Sequence, residues 1–268
     1  MRRTTELKND WQRLFGQAGN RALIVYWLYG LAITAAEIIV AYGSVKTGII
    51  LHILLLGALL AHSAWVFHRG VPWLFLALTL APLTRILSLS MPLGGIPPVY
   101  WYVAISAPLF AAAAGVMRVA GFAPGEVGFT LRNLPVQFLI ALIGLPLGFI
   151  EFIILKPRPM VTSLAPAEIW FPALVFIVCT GLLEEFVFRG VMYRAALKAV
   201  GDKFALVYVS CIFAVLHITH LSLWDVVFVF AVALLFTKIF AWQKSIVGVS
   251  LAHGLTNITL YLICPLIF

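Results

Sequence analysis

Two adjacent carboxylates stand within the most apolar part of this sequence. Glu184 and Glu185 follow the run FPALVFIVCTGLL, and Arg189 comes four residues after Glu185. Neighbouring residues of an α-helix point about 100° apart, so the two carboxylates cannot do the same job. Arg189 lies on the same helix face as Glu185, and this pair would fix the helix. Glu184 keeps no local partner, and a carboxylate among apolar walls can take a proton from water, as a general base must.

Two later apolar segments supply further polar groups. His217 ends the run FAVLH, and His220 could share its helix face but is followed at once by the loop LSLWD, which weakens its claim. His253 and Asn257 are four residues apart and stack on one helix face. Taken singly, His217 is also compatible with a residue at the membrane interface. His253 and Asn257 are also compatible with hydrogen bonds between packed helices. Arg189 and Arg194 also fit the point where a helix leaves the membrane.

Taken together, the groups predict a hydrolytic site inside a helix bundle. Glu184 would activate a water, and the imidazoles of His217 and His253 would orient it or serve as acid. Asn257 would donate a hydrogen bond to the developing oxyanion. In the alternative, Glu184, His217 and His253 bind zinc and activate a metal-bound water. Because the sequence has no HExxH motif, we expect no cofactor and keep zinc as the alternative.

The three segments resemble a known set of motifs. They read EEFVFR, FAVLH and HGLTN, in this order. They are similar to EExxxR, FxxxH and HxxxN of the CPBP (CAAX protease and bacteriocin-processing, or Abi) family of intramembrane endopeptidases, over roughly residues 166–263. The resemblance implies a catalytic cavity between membrane spans, with a catalytic set and two supporting residues: Glu184, His217, His253 and Asn257, supported by Glu185 and Arg189. It also implies cleavage of a peptide bond in a hydrophobic or lipidated protein or peptide, as in CAAX processing or peptide maturation.

The elements that must hold these residues are membrane helices. The chain is 63% hydrophobic and only 10% charged, far from the composition of a soluble domain. Apolar runs of about 20 residues predict spanning helices, so we expect an all-α polytopic bundle of 8–9 transmembrane helices. The predicted spans are 22–43, 48–67, 71–90, 99–120, 134–155, 168–188, 203–220, 225–242 and 245–266. The third contains Arg85 and Pro82 and is the weakest of them.

The predicted spans and the predicted site disagree in one respect. Straight spans with these bounds would place Glu184 near the inner end of one helix and His217 near the outer end of the next. The two side chains would then lie too far apart to act together. The site therefore requires shifted boundaries or a longer and tilted sixth helix.

The polar connection KPRPMVTSLAPAE divides the chain into two regions. Residues 1–165 form the N-terminal transmembrane region and 166–268 the predicted catalytic core. The net charge of +8 follows the positive-inside rule and does not indicate a nucleic-acid partner. Basic residues ahead of the first span predict a cytoplasmic N-terminus: Arg2, Arg3, Lys8, Arg13 and Arg21. We expect an integral protein of a prokaryotic plasma membrane, in contact with membrane lipid.

Five further ionisable residues lie in the predicted N-terminal spans. We expect Arg85 to pair with Glu151, and Glu37 to meet His52 or His62. Embedded groups of this kind keep a proton-coupled transporter open as an alternative, although the halves show no repeat or matching broken helices. A further alternative is a non-catalytic membrane scaffold or bacteriocin-immunity protein of the same fold, which binds a peptide without cutting it.

Overall fold

The computed structural model describes residues 2–67, 73–91 and 94–268, with side chains from residue 22 onward. In these residues the chain is helical, without strands, and we number nine helices in chain order. They are α1 (Arg2–Tyr42), α2 (Val45–Phe67), α3 (Leu74–Ser90), α4 (Pro98–Val119), α5 (Leu134–Leu155), α6 (Pro166–Val200), α7 (Asp202–Val215), α8 (Leu223–Gln243) and α9 (Val247–Ile267).

Eight of the described helices are long and apolar enough to cross a membrane, which confirms the predicted polytopic helix bundle. The third predicted span, 71–90, is the exception. Its first two residues lie outside the described part of the chain, and α3 covers Leu74–Ser90, which is shorter than each of the eight candidate spans. The span that contains α7 continues through the following turn to His220. The basic side chains ahead of the first span also lie outside the described side chains, so the cytoplasmic N-terminus stays a prediction.

Helix α6 is much longer than its predicted span of 168–188. It has 35 residues, or about 50 Å at 1.5 Å per residue, and Glu184 lies close to its middle. The predicted inner end was wrong because the segment GVMYRAALK continues the helix. This length removes the disagreement between Glu184 and His217, since a site halfway along α6 is level with the far end of α7. Wide π-helical turns at Phe176–Leu182 and Phe186–Met192 flank Leu183–Glu185, and such turns are frequent at functional sites.

Helices α6 and α9 cross in contact at two glycines. A methyl group added at Gly181 of α6 would collide with the carbonyl oxygen of Ser250. One added at Gly254 of α9 would come within 2.7 Å of the Cα of Ile177. Small residues allow helix backbones in a membrane to approach this closely. The crossing therefore places the polar groups of the two helices beside each other.

Helix α5 packs against α9 in the same way, from another side. Added methyl groups at Gly144 and Gly148 would collide with the carbonyl oxygens of Ala252 and Thr256. The Thr256 hydroxyl also donates to the carbonyl of Gly144 at 3.2 Å. Helix α9 is accordingly the most buried of the eight candidate spans that the structure describes. The helix with the HxxxN motif thus lies at the centre of the bundle.

The embedded charges of the N-terminal helices pair differently from the prediction. Arg85 Nε donates to Glu37 Oε1 at 2.7 Å, so the predicted pairing of Arg85 with Glu151 is wrong. His52 Nε2 lies 3.0 Å from the same oxygen, which confirms the predicted meeting of Glu37 and His52. The physical reason is that α2 packs on both α1 and α3, and Tyr26 of α1 contacts Phe75 of α3. Glu151 belongs to α5 and lies in a different wall of the bundle.

The connection between α4 and α5 is tied to the end of α6. Glu126 accepts hydrogen bonds from the backbone N–H of Ala123, at 3.0 Å, and from Arg194. Lys198 lies 3.6 Å from the same carboxylate. The Ala123 N–H and then Arg194 lower the pKa of Glu126 to about 2, so this carboxylate stays charged over the whole physiological range of pH. Arg194 therefore holds the loop rather than the cavity.

Candidate active site

A cavity of about 250 Å³ opens between α3, α4, α5, α6, α9 and the end of α7. Its wall contains all four residues predicted to be catalytic: Glu184, His217, His253 and Asn257. Glu184 and Asn257 are 73 residues apart in the chain, so the three motifs meet in one place. A smaller cavity of about 40 Å³ lies behind it and is lined by the supporting pair, Glu185 and Arg189.

The two adjacent carboxylates occupy different environments. The Glu184 side chain lines the cavity and keeps 32% of its surface accessible, whereas the Glu185 side chain is completely buried. Glu185 Oε1 accepts from a terminal nitrogen of Arg189 at 3.0 Å, which confirms the predicted pair. Arg189 is itself buried, and its guanidinium lies 4.5 Å from the centre of the Phe213 ring. Arg189 is therefore a buried structural cation and does not mark a membrane boundary.

His253 lies between the two carboxylates. Its Nδ1 is 3.0 Å from Glu185 Oε1, and its Nε2 is 3.8 Å from Glu184 Oε2. A carboxylate that pairs with Arg189 is ionised and can only accept, so Nδ1 carries the proton and Nε2 is the free nitrogen. The gap of 3.8 Å is too long for a direct hydrogen bond and suits a bridging water. Glu185 therefore orients the imidazole toward Glu184, a contact that the motif spacing did not predict.

His217 enters the cavity because α7 ends just before it. The helix stops at Val215, and His217 has φ −95° and ψ 0°, in the bridge region where many active-site residues lie. Its Nδ1 lies 3.0 Å from the carbonyl oxygen of Phe213, one turn earlier. Since that oxygen can only accept, Nδ1 is protonated and Nε2 is left as an acceptor.

Asn257 is fixed by a residue that sequence reasoning did not identify. Its Nδ2 donates to the hydroxyl of Thr180 at 2.9 Å, and Thr180 in turn donates to the carbonyl of Phe176. One amide N–H of Asn257 remains for a ligand. Thr180 precedes Glu184 by four residues on α6, and this helical spacing was the available signal.

The structure adds a second acid–histidine pair to the wall. His220, which had the weaker claim in the sequence, lines the cavity, and its Nδ1 is 2.8 Å from Asp225 Oδ2. Asp225 is fully buried in the first turn of α8, where its backbone N–H is bound by the side chain of Ser222. The ring centres of His217 and His220 are 5.3 Å apart. In the sequence, the available signal for this pair was that an acid, Asp225, follows His220 by five residues across the loop.

The residues of the zinc alternative line the same cavity. Glu184 Oε2 and His253 Nε2 lie 3.8 Å apart, and both imidazoles use Nδ1 for protein contacts, which leaves Nε2 of each ring open, as in histidines that bind metals. Within the described part of the chain, no three His, Cys, Asp or Glu side chains are arranged to hold a metal ion. Zinc therefore stays the alternative of the prediction, and no chemical step below is routed through a metal.

Comparison with known proteins identifies the C-terminal part of the chain. Residues 166–259 match the family model of type II CAAX prenyl endopeptidase Rce1-like proteins. The match covers about a third of the chain, from the start of α6 into α9, and includes all three motifs. No curated protein and no solved structure gives a significant match. The resemblance to the CPBP family is therefore confirmed for this segment.

Proposed function

We propose that this protein is an intramembrane endopeptidase of the CAAX-processing type, which hydrolyses a peptide bond in a hydrophobic or lipidated protein or peptide. One observation carries the proposal: the three motifs of the matched segment converge on one cavity, with Glu184 accessible inside it. The eight candidate spans make it an integral membrane protein. Its partners would be membrane lipid and a substrate that reaches the cavity from the bilayer. A prokaryotic plasma membrane stays a prediction.

Glu184 would start the reaction as general base. It takes a proton from a water held between its carboxylate and Nε2 of His253, the 3.8 Å gap described above. The free Nε2 of His253 would accept the second hydrogen of that water and so direct its lone pair at the scissile carbonyl carbon. The free Nε2 of His217 would remain as an acceptor in the same wall for an N–H of the substrate. The new C–O bond forms as the carbonyl π electrons move onto oxygen. Glu185 has a positioning role, since it orients His253 and is itself held by Arg189.

The developing oxyanion would be stabilised by Asn257, whose second amide N–H is not taken up by Thr180. Collapse of the tetrahedral intermediate breaks the C–N bond. The leaving nitrogen takes the proton that Glu184 had removed from water, so the carboxylate is restored for the next cycle. Each proton and electron pair is thus accounted for by residues on three neighbouring helices and one water.

The test is a comparison of wild-type protein with Glu184→Gln, which keeps the shape of the side chain and removes its basicity. Membrane proteins and peptides from cells with matched expression would be analysed by quantitative mass spectrometry. We expect uncut precursors to accumulate and their cleaved termini to disappear, with a loss of at least about 100-fold. Glu168→Gln at the start of the same helix is the matched control and should behave as wild type, because the described hydrogen bonds of Glu168 are to Thr162 and Ser163, away from the cavity.

Full cleavage by Glu184→Gln would refute the proposed mechanism. If neither wild type nor Glu184→Gln produces cleaved termini, in cells where a deletion has a phenotype, the result would instead favour the scaffold or immunity protein. Substrate-dependent uptake into vesicles would favour the transporter.

A further inference from the structure

The cavity wall contains one cation among its described residues, Arg85 of α3. The other ionisable side chains of the wall are carboxylates, imidazoles, tyrosines and one cysteine. Arg85 lies outside the segment that matches the Rce1-like family and has no part in the mechanism above. A charged residue at membrane depth is costly and marks a functional site by default. We therefore expect the guanidinium to have a function in the cavity.

Only part of the guanidinium is used by the protein. Nε donates to Glu37 Oε1 at 2.7 Å, and one terminal nitrogen donates to the Thr219 hydroxyl at 3.3 Å. A guanidinium has five N–H donors, so three of them are not bound in the described structure. The side chain keeps 12% of its surface accessible, whereas Glu37 is completely buried. Glu37 thus fixes the Nε edge and leaves the terminal nitrogens for the cavity.

The surroundings of Arg85 offer further donors. Thr219 accepts from Arg85, so the hydrogen of its own hydroxyl is available to a ligand. It lies between His217 and His220 in the turn that follows α7. The nearby hydroxyls of Thr84 and Ser88 are already bound to carbonyls of their own helix. The end of the cavity formed by Arg85 and Thr219 therefore presents donors to an anion, and the planar fork of Arg matches a carboxylate.

We propose that Arg85, assisted by Thr219, binds the free C-terminal carboxylate of the substrate and so selects chains that end inside the cavity. This inference rests on the proposed endopeptidase function and names the group that recognises its substrate. At about 250 Å³, the cavity is slightly smaller than most ligand pockets and holds only a short segment. With the carboxylate at Arg85, the bond presented to Glu184 would lie a few residues before the end of the chain.

The proposal can be tested by binding, independently of cleavage. The probe is an N-acetylated, S-farnesylated CAAX-type peptide, made both as the free acid and as the C-terminal amide. Both forms are titrated against Glu184→Gln protein in neutral detergent. We expect the acid to bind about tenfold or more tightly than the amide, because a buried charge-assisted hydrogen bond is lost in the amide. When Arg85→Gln is added to the Glu184→Gln protein, the acid and the amide should bind equally well. With Arg85→Lys in its place, the preference for the acid should be smaller.

Arg85→Gln alone leaves Glu37 buried without its cation, and the variant could fail to fold. Glu37→Gln/Arg85→Gln removes both charges together and is the matched control. The proposal would be overturned if protein with Arg85 intact bound the acid and the amide equally, or bound neither. It would also be overturned if the double variant still preferred the acid. Competition by phosphatidylglycerol would assign Arg85 to a lipid phosphate instead. A failure of the endopeptidase proposal would be seen separately, as absence of cleavage by protein with intact Glu184. The ratio of acid binding to amide binding does not depend on cleavage and can still be measured.

Discussion

At the scale of residues, the environment separates two identical side chains that are adjacent in the sequence. Glu185 faces Arg189 and His253 in a buried cluster, whereas Glu184 faces the cavity and has no cation within the described contacts. Charge compensation explains the difference, because a buried carboxylate needs a partner and an accessible one does not. Glu185, whose Oε1 contacts both Arg189 and His253, is then suited to hold an imidazole, and Glu184 to carry a proton.

Glu185→Gln should separate positioning from stability. The variant leaves Arg189 buried without its counter-charge, which costs about 3–5 kcal/mol of stability. It also weakens the hydrogen bond that orients His253, and we expect activity to fall about 10- to 100-fold, the range found for groups that orient metal-binding histidines. Thermal unfolding in detergent and cleavage of a substrate would be measured on the same preparations.

Glu185→Gln/Arg189→Met is the control, because it removes both buried charges together. We expect it to regain much of the thermal stability but not the activity. Recovery of activity along with stability would show that Glu185 supports the fold alone.

At the scale of elements, the site depends on how closely α9 approaches its neighbours. Gly254 follows His253 directly and is in contact with the backbone of Ile177 on α6. Gly181 makes the equivalent contact from the other helix, three residues before Glu184. The distance between Glu184 and His253 is therefore set by two residues without side chains, which lie beside the reacting groups.

Gly254→Val should push α6 and α9 apart. The new side chain needs room where an added Cβ already lies 2.7 Å from the Cα of Ile177. Overpacking of this kind costs about 1–3 kcal/mol, and we expect a lower melting temperature with at least a tenfold loss of cleavage. Gly115→Ala in α4 is the control, since nothing lies within 4 Å of the added methyl group. Wild-type activity in Gly254→Val would show that the close crossing is not required.

The helices were predictable from the sequence where an apolar run is separated from the next one by polar residues. The motif spacing predicted the Glu185–Arg189 pair, because residues four apart share a helix face. The end of α6 was missed because GVMYRAALK contains charges, although Tyr193 and Ala196 within it are buried. The pairs of Arg85 with Glu37 and of His220 with Asp225 depend on which helices and loops are neighbours. Periodicity along one helix carries no information on that choice.

At the scale of the whole molecule, the cavity is built by both halves of the chain. The matched segment supplies Glu184 and the histidines, while α3, α4 and α5 supply Arg85, Tyr102 and Glu151. Arg85 also links the N-terminal helices to the turn after α7, through Glu37 and Thr219. The predicted division at residue 165 therefore falls in a connection, but the site extends across it.

A chain cut within that connection should test how the two halves cooperate. Arg158 and Pro159 are exposed between α5 and α6, so a break between them removes no buried contact. We expect residues 159–268 alone to be inactive, because three walls of the cavity and the glycine contacts of α5 with α9 are missing. Co-expression with residues 1–158 should restore cleavage, since membrane helices insert first and associate afterwards.

The measurement is cleavage in membranes that contain either fragment or both, with co-purification of the fragments as a check on assembly. A matched pair in which residues 1–158 carry Gly144→Val and Gly148→Val is the control, because these changes block the contact with Ala252 and Thr256. That pair should neither assemble nor cleave. Activity of residues 159–268 alone would mean that the matched segment holds a complete site, and that α3, α4 and α5 serve recognition rather than the geometry of the reacting groups.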